Sequence, residues 1–201
     1  MELVSVDPHC FDISIGLYEK DGVLTVWSFS QRPETYARII EIRNQLVTLG
    51  DLAPLPRVSN KANFSCGYIH RRPLKFLMMQ AVEKSPDYKI PEGAIQDLRS
   101  DLMLTVVSME KGGRWIYEVV AEGEHANKEG RLRSIASGFV RYGEMERIGQ
   151  NQVSFICGER HDNLARLVLP YARNVSGVED MLDANSIRGQ MTTNTLGFSQ
   201  T

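Results

Sequence analysis

The pentapeptide CGYIH at residues 66–70 recurs as CGERH at residues 157–161, and the two copies lie 91 residues apart. Only three of the 201 residues are cysteine and four are histidine, so chance is a poor explanation for the match. This motif, Cys-Gly-x-x-His, therefore predicts that the chain is an internal duplication. Further matches at the same distance are Asn60, Phe64 and Ala81 with Asn151, Phe155 and Ala172.

Each predicted half begins with a β-hairpin. The turn sequence EKDG at residues 19–22 corresponds to EKGG at residues 110–113, again 91 positions later. Residues rich in β-branched and aromatic side chains flank both turns, which is typical of hairpin strands closed by a glycine-bearing turn. The predicted strands cover residues 11–18 and 23–27 in the first half and residues 102–109 and 114–120 in the second.

A helix follows each hairpin, because the apolar residues change to helical spacing. Here the two halves match at a distance of 93, which we attribute to a two-residue insertion in a connecting loop. Pro33 suits the first turn of one helix, and Asn127 suits the N-cap of the other. Gly50 and Gly143 are predicted to be the left-handed residues that end these helices.

Each half ends with further strands and a second helix. Residues 144–157 have the pattern of a strand, a polar turn and a second strand. In the corresponding segment of the first half, Pro54 and Pro56 allow at most an edge strand. The last helices are predicted at residues 73–84 and 163–174, the second with a kink at Pro170.

The predicted fold class is α+β, with a β-β-α-(β)-β-α unit that is used twice and packed as a single pseudo-two-fold body. A unit of about 80 residues buries a modest share of its surface, so two units gain stability by packing together. The predicted units are residues 1–90 and 91–182, joined by a proline- and charge-rich linker at 85–93. Residues 183–201 form a polar tail, expected to be disordered or to act as an oligomerisation arm.

Composition excludes several function classes. The 23 basic and 25 acidic residues give a net charge of -2, so no broad attraction to nucleic acid or to an anionic membrane is expected. No apolar run approaches the roughly 20 residues that span a bilayer, and the acidic start of the chain does not fit a signal peptide. The small number of cysteines indicates reduced thiols, so we expect a cytoplasmic protein. The partners that we expect are a small-molecule or anionic ligand and further copies of the same chain.

The repeated motif is compatible with a metal site. If the pseudo-two-fold axis brings the two loops together, Cys66, His70, Cys157 and His161 supply the two thiolates and two imidazoles of tetrahedral zinc. Thiolate and imidazole suit zinc better than magnesium or calcium. Zinc is therefore the cofactor that the motif suggests.

Anion binding is a second interpretation of the same loops. Each loop runs from the end of a strand to the start of a helix, where free backbone N–H groups and the helix dipole favour anions. The glycines let a ligand approach the backbone, and neighbouring arginines add positive charge. The residues predicted to bind such a ligand are Gly67, Arg71, Arg72, Gly158 and Arg160.

Two further interpretations remain open. In a cysteine-dependent hydrolase or transferase, His70 or His161 would activate Cys66 or Cys157, but the adjacent Asp162 is better placed as an N-cap than as the group that orients the imidazole. In a non-catalytic homo-oligomer, the same residues are a buried strand end, a sharp turn and a loop hydrogen bond. A disulfide between Cys66 and Cys157 is a minor alternative, because cytoplasmic thiols are mostly reduced.

Overall fold

Two antiparallel sheets and four helices make up the part of the chain that this computed structural model describes, residues 2–5, 9–10, 13–28, 33–83, 90 and 93–175. The mixed α+β class is confirmed. Most of the predicted linker and the whole predicted tail lie outside the described residues. None of the described helices has the length and apolar character needed to cross a bilayer.

Six strands and two helices lie in the described residues of the first half. They are β1 (Glu2–Ser5), β2 (His9–Cys10), β3 (Ile13–Lys20), β4 (Val23–Ser28), α1 (Pro33–Gly50), β5 (Leu52–Pro54), β6 (Lys61–Phe64) and α2 (Arg71–Glu83). The strand order in the sheet is β1-β3-β4-β6-β5, and β2 also pairs with β3. The short strand that contains Pro54 is therefore an edge strand, as predicted.

In the second half, the residues that the structure describes form five strands and two helices. They are β7 (Ile95–Gln96), β8 (Met103–Lys111), β9 (Arg114–Glu122), α3 (Lys128–Gly143), β10 (Met145–Arg147), β11 (Gln152–Phe155) and α4 (Asp162–Ala172). The strand order is β7-β8-β9-β11-β10. From β3 and from β8 onward, each half therefore has the element order β-β-α-β-β-α. Pro170 lies inside α4, which ends two residues later, and its predicted kink stays a prediction.

Both hairpins turn at residues with left-handed backbone. Asp21 and Gly22 have φ of 54° and 78°, and Gly112 and Gly113 have φ of 63° and 76°. Two successive positive φ values are the geometry of the tight turn whose twist matches a hairpin, and glycine adopts them without strain. The predicted glycine turns are confirmed.

The pairing of strands shows how the number of positions between corresponding residues of the two halves changes along the chain. Leu24 on β4 lies opposite Ala62 on β6, and Tyr117 on β9 lies opposite Val153 on β11. Leu24 and Tyr117 are 93 positions apart, whereas Ala62 and Val153 are 91 apart. The distance between corresponding residues therefore differs by two between the second hairpin strand and the last strand of each sheet. The predicted insertion in a connecting loop stays a prediction.

The glycines at the ends of α1 and α3 serve packing rather than chain reversal. The left-handed residues are Asp51, with φ of 56°, and Glu144, with φ of 52°, each one position beyond the predicted glycine. At Gly50, an added Cβ would lie 2.2 Å from a methyl carbon of the buried Leu77. The prediction of left-handed Gly50 and Gly143 is therefore wrong, because the need for space between elements decides these positions.

A single cluster of buried residues draws side chains from both halves. Helix α4 contacts α1 and α2 of the first half, and α2 also contacts α3. Helices α3 and α4 also approach each other closely, because a Cβ on Gly138 would be 2.3 Å from the carbonyl oxygen of Ala172. Large members of the buried cluster are Leu17, Leu46, Phe64, Leu77, Tyr117, Phe139 and Phe155.

A buried ion pair fixes the start of the second half. The guanidinium of Arg131 in α3 makes two hydrogen bonds of 2.7 Å to the carboxylate of Asp97, whose side chain is 0% exposed. Arg131 also donates to the carbonyl oxygens of Val175 and Arg173, beyond the end of α4. Burial alone would raise the pKa of Asp97, but hydrogen bonds from Arg131 and Ser100 and the guanidinium charge outweigh it and lower this pKa.

We expect Asp97→Asn to lower the free energy of unfolding by about 3–5 kcal/mol near neutral pH, because Arg131 would remain buried without its counter-charge. The lowered pKa means that the wild-type advantage is present above the unfolded value of about 3.9 and is lost as the pH falls through the folded value. Urea unfolding at several pH values measures this difference.

The matched control is Glu146→Gln. It removes the exposed pair with Arg114, whose N–O distance is also 2.7 Å, and we expect a loss of about 0–1 kcal/mol. Equal losses for the two variants, or a deficit of Asp97→Asn that does not shrink in acid, would contradict the proposed importance of the buried pair.

Candidate metal centre

Both Cys-Gly-x-x-His motifs begin with a tight turn at the end of a strand. The N–H of Gly67 donates to the carbonyl of Phe64 at 3.0 Å, and the N–H of Gly158 donates to the carbonyl of Phe155 at 2.9 Å. The two glycines have φ of 73° and 78°, which side-chain-bearing residues rarely adopt. The turns place the cysteines just beyond the ends of β6 and β11.

The motif histidines stand at the starts of α2 and α4. The carbonyl of His70 accepts from the N–H of Leu74, and the carbonyl of His161 accepts from the N–H of Ala165, both at 3.0 Å. His161 is the N-cap residue of α4, yet its side chain makes no capping hydrogen bond. The helix starts therefore fix both backbones and leave the imidazoles available to the centre.

Four side chains from the two halves converge on one point. One ligand atom from each of Cys66, His70, Cys157 and His161 lies within 4.8 Å of the other three. His70 Nε2 is 3.6 Å from Cys66 Sγ and 3.5 Å from Cys157 Sγ. Cys157 Sγ is 3.4 Å from His161 Nε2. The structure thus forms a Cys/His cluster that could hold a metal, at one shared centre instead of two separate loops.

The imidazoles lie inside the protein and the sulfurs lie towards the solvent. His70 and His161 are both 0% exposed, whereas Cys66 and Cys157 are half-buried free thiols. The N–H of Glu159 donates to Cys157 Sγ at 3.4 Å, a contact that favours the thiolate.

Aromatic rings hold the imidazoles. The centroid of His70 lies 4.9 Å from Phe64 and 5.1 Å from Phe155, while that of His161 lies 5.2 Å from Phe155. The two imidazole centroids are 4.8 Å apart. Each Nδ1 is buried without a hydrogen-bond partner among the described residues, so ring packing, and not the usual second-nitrogen hydrogen bond, orients these imidazoles.

Burial determines the charge state of the cluster. It lowers the pKa of His70 to about 3, with a smaller contribution from His161, and it lowers the pKa of His161 to about 4 against the opposing charge of Asp162. It also raises the pKa of Cys157 to about 12, although the N–H of Glu159 opposes this shift. Neutral imidazoles are ready to bind a metal, whereas a thiolate–imidazolium catalytic pair would need both groups in the charged forms that burial disfavours.

Three of the sulfur–nitrogen distances match those expected around a tetrahedral zinc ion. Zn–S bonds of about 2.3 Å and Zn–N bonds of about 2.0–2.1 Å, at the tetrahedral angle, place sulfur and nitrogen about 3.6 Å apart. Three of the four sulfur–nitrogen pairs, at 3.4, 3.5 and 3.6 Å, are close to this value. Two thiolates and two imidazoles also complete four-coordination without a further ligand.

The arginines of the first motif have partners in the protein. Arg71 forms an ion pair of 3.2 Å with Glu19. Arg72 donates to the carbonyl oxygen of Arg141 at 2.6 Å and lies 3.9 Å from the carboxylate of Glu144, so it links the halves. Both arginine side chains are therefore held by contacts within the protein. The prediction that they bind an anion stays a prediction.

Arg160 of the second motif is likewise engaged. Its guanidinium bonds to Asp162 and lies 4.5 Å above the ring of Trp115. Asp162 is the first residue of α4 and not its N-cap, so the predicted capping role is wrong. Gly67 and Gly158 shape the two turns, and an anion at them likewise stays a prediction.

Asp51 is a residue of the site that the sequence does not reveal. Its carboxylate accepts hydrogen bonds from the N–H groups of Asn163 and Leu164 at 2.8 and 3.2 Å, and from the side chain of Asn163 at 2.9 Å. A residue just beyond α1 therefore caps α4, directly after His161. No local signal predicts this contact, because 112 residues separate Asp51 from Asn163.

Comparison of the chain with protein-family models, curated proteins and solved structures finds no significant match. The geometry and chemistry of the Cys/His cluster are therefore the basis for assigning a function.

We expect Asp51→Ala to lower the free energy of unfolding by about 1–2 kcal/mol, because two N–H groups at the start of α4 would lose their acceptor. Asp21→Ala is the matched control, since Asp21 has φ of 54° and Asp51 has φ of 56°, and Asp21 lies in an exposed hairpin turn. Urea unfolding of both variants separates the cap from backbone strain, and equal losses would show that Asp51 acts only through its backbone.

Proposed function

We propose that the protein binds one zinc ion through Cys66, His70, Cys157 and His161, and that this ion joins the two halves of the fold. The observation that carries the proposal is the convergence of the four ligand atoms within 4.8 Å. Each half supplies one thiolate and one imidazole. Neither half has enough of these ligands to complete the site alone.

The ligand set supports zinc over other common ions. Thiolates disfavour magnesium and calcium, which prefer oxygen, and a mixed set of two thiolates and two imidazoles at tetrahedral spacing is typical of zinc. The neutral state of both imidazoles agrees with this assignment, because a protonated ring nitrogen cannot bind a metal.

A structural role is favoured over a catalytic one. Catalytic zinc normally has three protein ligands and an open position for water or substrate, whereas structural zinc has four protein ligands. Cys66, His70, Cys157 and His161 fill all four positions. A zinc ion bound only in the folded state would contribute its binding free energy to folding.

An internal duplication explains why the ligands come in matching pairs. Asn60 Nδ2 donates to the carbonyl of Val26 at 3.1 Å, and Asn151 Nδ2 donates to the carbonyl of Val119 at 3.1 Å, at matching places in the two sheets. We infer that residues 1–90 and 91–182 descend from one ancestral unit, related by a pseudo-two-fold axis near the metal. A dimer of that unit would have built the same four-ligand site from one cysteine and one histidine.

A cytoplasmic location is part of the same proposal. A zinc–thiolate site needs Cys66 and Cys157 in the reduced state, and the cytoplasm keeps thiols reduced. Their half-buried sulfurs would be open to oxidation elsewhere.

The direct test is metal content. We expect purified full-length protein to contain about one zinc per chain and His161→Ala or Cys157→Ser to contain little, because a structural site needs all four ligands. Elemental analysis measures zinc against protein. The controls are His125→Ala and Cys10→Ser, which change a histidine and a cysteine outside the cluster and should keep the metal. A metal-free wild type after growth with zinc, or equal loss in the controls, would overturn the proposal.

Zinc should also stabilise the fold. Free zinc at about 1,000 times its dissociation constant contributes about 4 kcal/mol, which raises the Tm of a chain of this size by roughly 8–16 °C. Thermal unfolding with zinc and with a chelator tests this expectation, and an unchanged Tm would contradict a role in joining the halves.

Cobalt(II) provides a test that does not depend on loss of folding. We expect cobalt to replace zinc and to give absorption typical of tetrahedral coordination with two thiolates. Cys157→His keeps four donors but removes one sulfur, so it should retain cobalt with weaker thiolate-to-metal charge transfer. An unchanged spectrum in Cys157→His would show that Cys157 is not a ligand.

A further inference from the structure

We propose that the metal centre is a redox switch, in which a peroxide oxidises Cys66 and Cys157 to a disulfide and thereby releases the zinc ion. This inference rests on the proposed zinc binding. It concerns the regulation of the same site.

The sulfurs are close enough for this reaction. Cys66 Sγ and Cys157 Sγ belong to a cluster in which every pair of ligand atoms is within 4.8 Å, and a disulfide requires about 2.05 Å. Both cysteines lie in turns after β6 and β11, not inside a strand or helix. A small movement of two turns would therefore join the sulfurs without rearranging the sheets.

The layout of the site directs an oxidant to the sulfurs. The histidines are fully buried, while Cys66 and Cys157 are half-buried. Their sulfurs contact the backbone of the exposed residues Tyr68 and Glu159. A small polar oxidant that approaches from solvent therefore meets sulfur before nitrogen. Metal binding also keeps both cysteines as thiolates, the form that peroxides oxidise.

The reaction balances with peroxide as the only added oxidant. One thiolate attacks a peroxide oxygen, the O–O bond breaks, and a sulfenic acid and hydroxide form. The second thiolate attacks the sulfenic sulfur, the S–S bond forms, and a second hydroxide leaves. Two electrons pass from the sulfurs to the peroxide, and two protons from solvent convert both hydroxides to water. The zinc ion loses two of its four ligands and dissociates.

The consequence is specific to this arrangement. Cys66 belongs to the first half and Cys157 to the second, so the disulfide would link the same two turns that the metal links. Oxidation would expel the metal yet keep the two turns joined, whereas a chelator would remove the metal and leave the two turns with neither a metal nor a disulfide between them. His70 and His161 would remain buried as neutral imidazoles.

The test uses the zinc-loaded full-length chain in the Cys10→Ser background, where Cys66 and Cys157 are the only cysteines. Hydrogen peroxide is added, zinc release is followed with a chromogenic chelator, and the products are examined by mass spectrometry. We expect zinc release in step with a mass decrease of about 2 Da per chain, for the loss of two thiol hydrogens. Peptide mapping should show a Cys66–Cys157 link, and a thiol reductant with added zinc should restore the metal-bound form.

The outcomes separate this inference from the proposed zinc binding. The protein could bind zinc and release it on oxidation while forming sulfinic acids or disulfides between chains, without the Cys66–Cys157 disulfide. That result would overturn the switch but not the proposed zinc binding. A disulfide that forms in a protein that never binds zinc would overturn both. Cys66→Ser in the same background is the variant control, because one remaining cysteine cannot form a disulfide within the chain. If the switch is correct, peroxide should release any zinc that this variant binds without producing such a disulfide.

Discussion

The contact between the imidazoles of His70 and His161 is the constraint around which the two halves are arranged. Their centroids lie 4.8 Å apart, and both rings are fully buried against Phe64 and Phe155. Burial in an apolar interior disfavours the charged imidazolium form of both histidines, and their mutual repulsion adds to this effect at His70. Their Nε2 atoms face the sulfurs. A divalent ion with two thiolates is electrically neutral overall, and such a centre can therefore lie partly inside the core without an unpaired charge.

Other contacts between the halves meet at the same two helix starts. Asp51, beyond α1, caps α4 directly after His161, and Glu144, beyond α3, lies near Arg72 at the start of α2. Both acidic residues have left-handed backbone just beyond a helix, and their side chains contact the opposite half. A change in the position of α2 or α4 would move a motif histidine together with the acidic residue that contacts that helix. These contacts and the Cys/His cluster therefore support the same geometry.

Local patterns were enough to predict the hairpins, the helices and the four candidate ligands from the sequence, because each depends on nearby residues. Asp21 with Gly22 and Gly112 with Gly113 close the turns through their own backbone preferences. The remainder depends on contacts between distant segments. The space that Gly50 leaves for Leu77 and the cap that Asp51 provides for α4 can be predicted only when it is known which segments pack against each other. Whether Cys66 would meet Cys157 was open for the same reason, since a repeat predicts equivalent loops but does not fix the distance between them.

The divergence of the two copies around the shared motif bears on why the motif persists. After each histidine the two motifs differ in charge, with Arg71 and Arg72 in one and Asp162 and Asn163 in the other. A turn needed only for folding would need its glycine, but it would tolerate many residues at the cysteine and histidine positions. A shared four-ligand site differs, because the loss of any single ligand would disable the contribution of both halves. The proposed metal binding would therefore account for the cysteine and histidine at both places, where the charges that follow them differ.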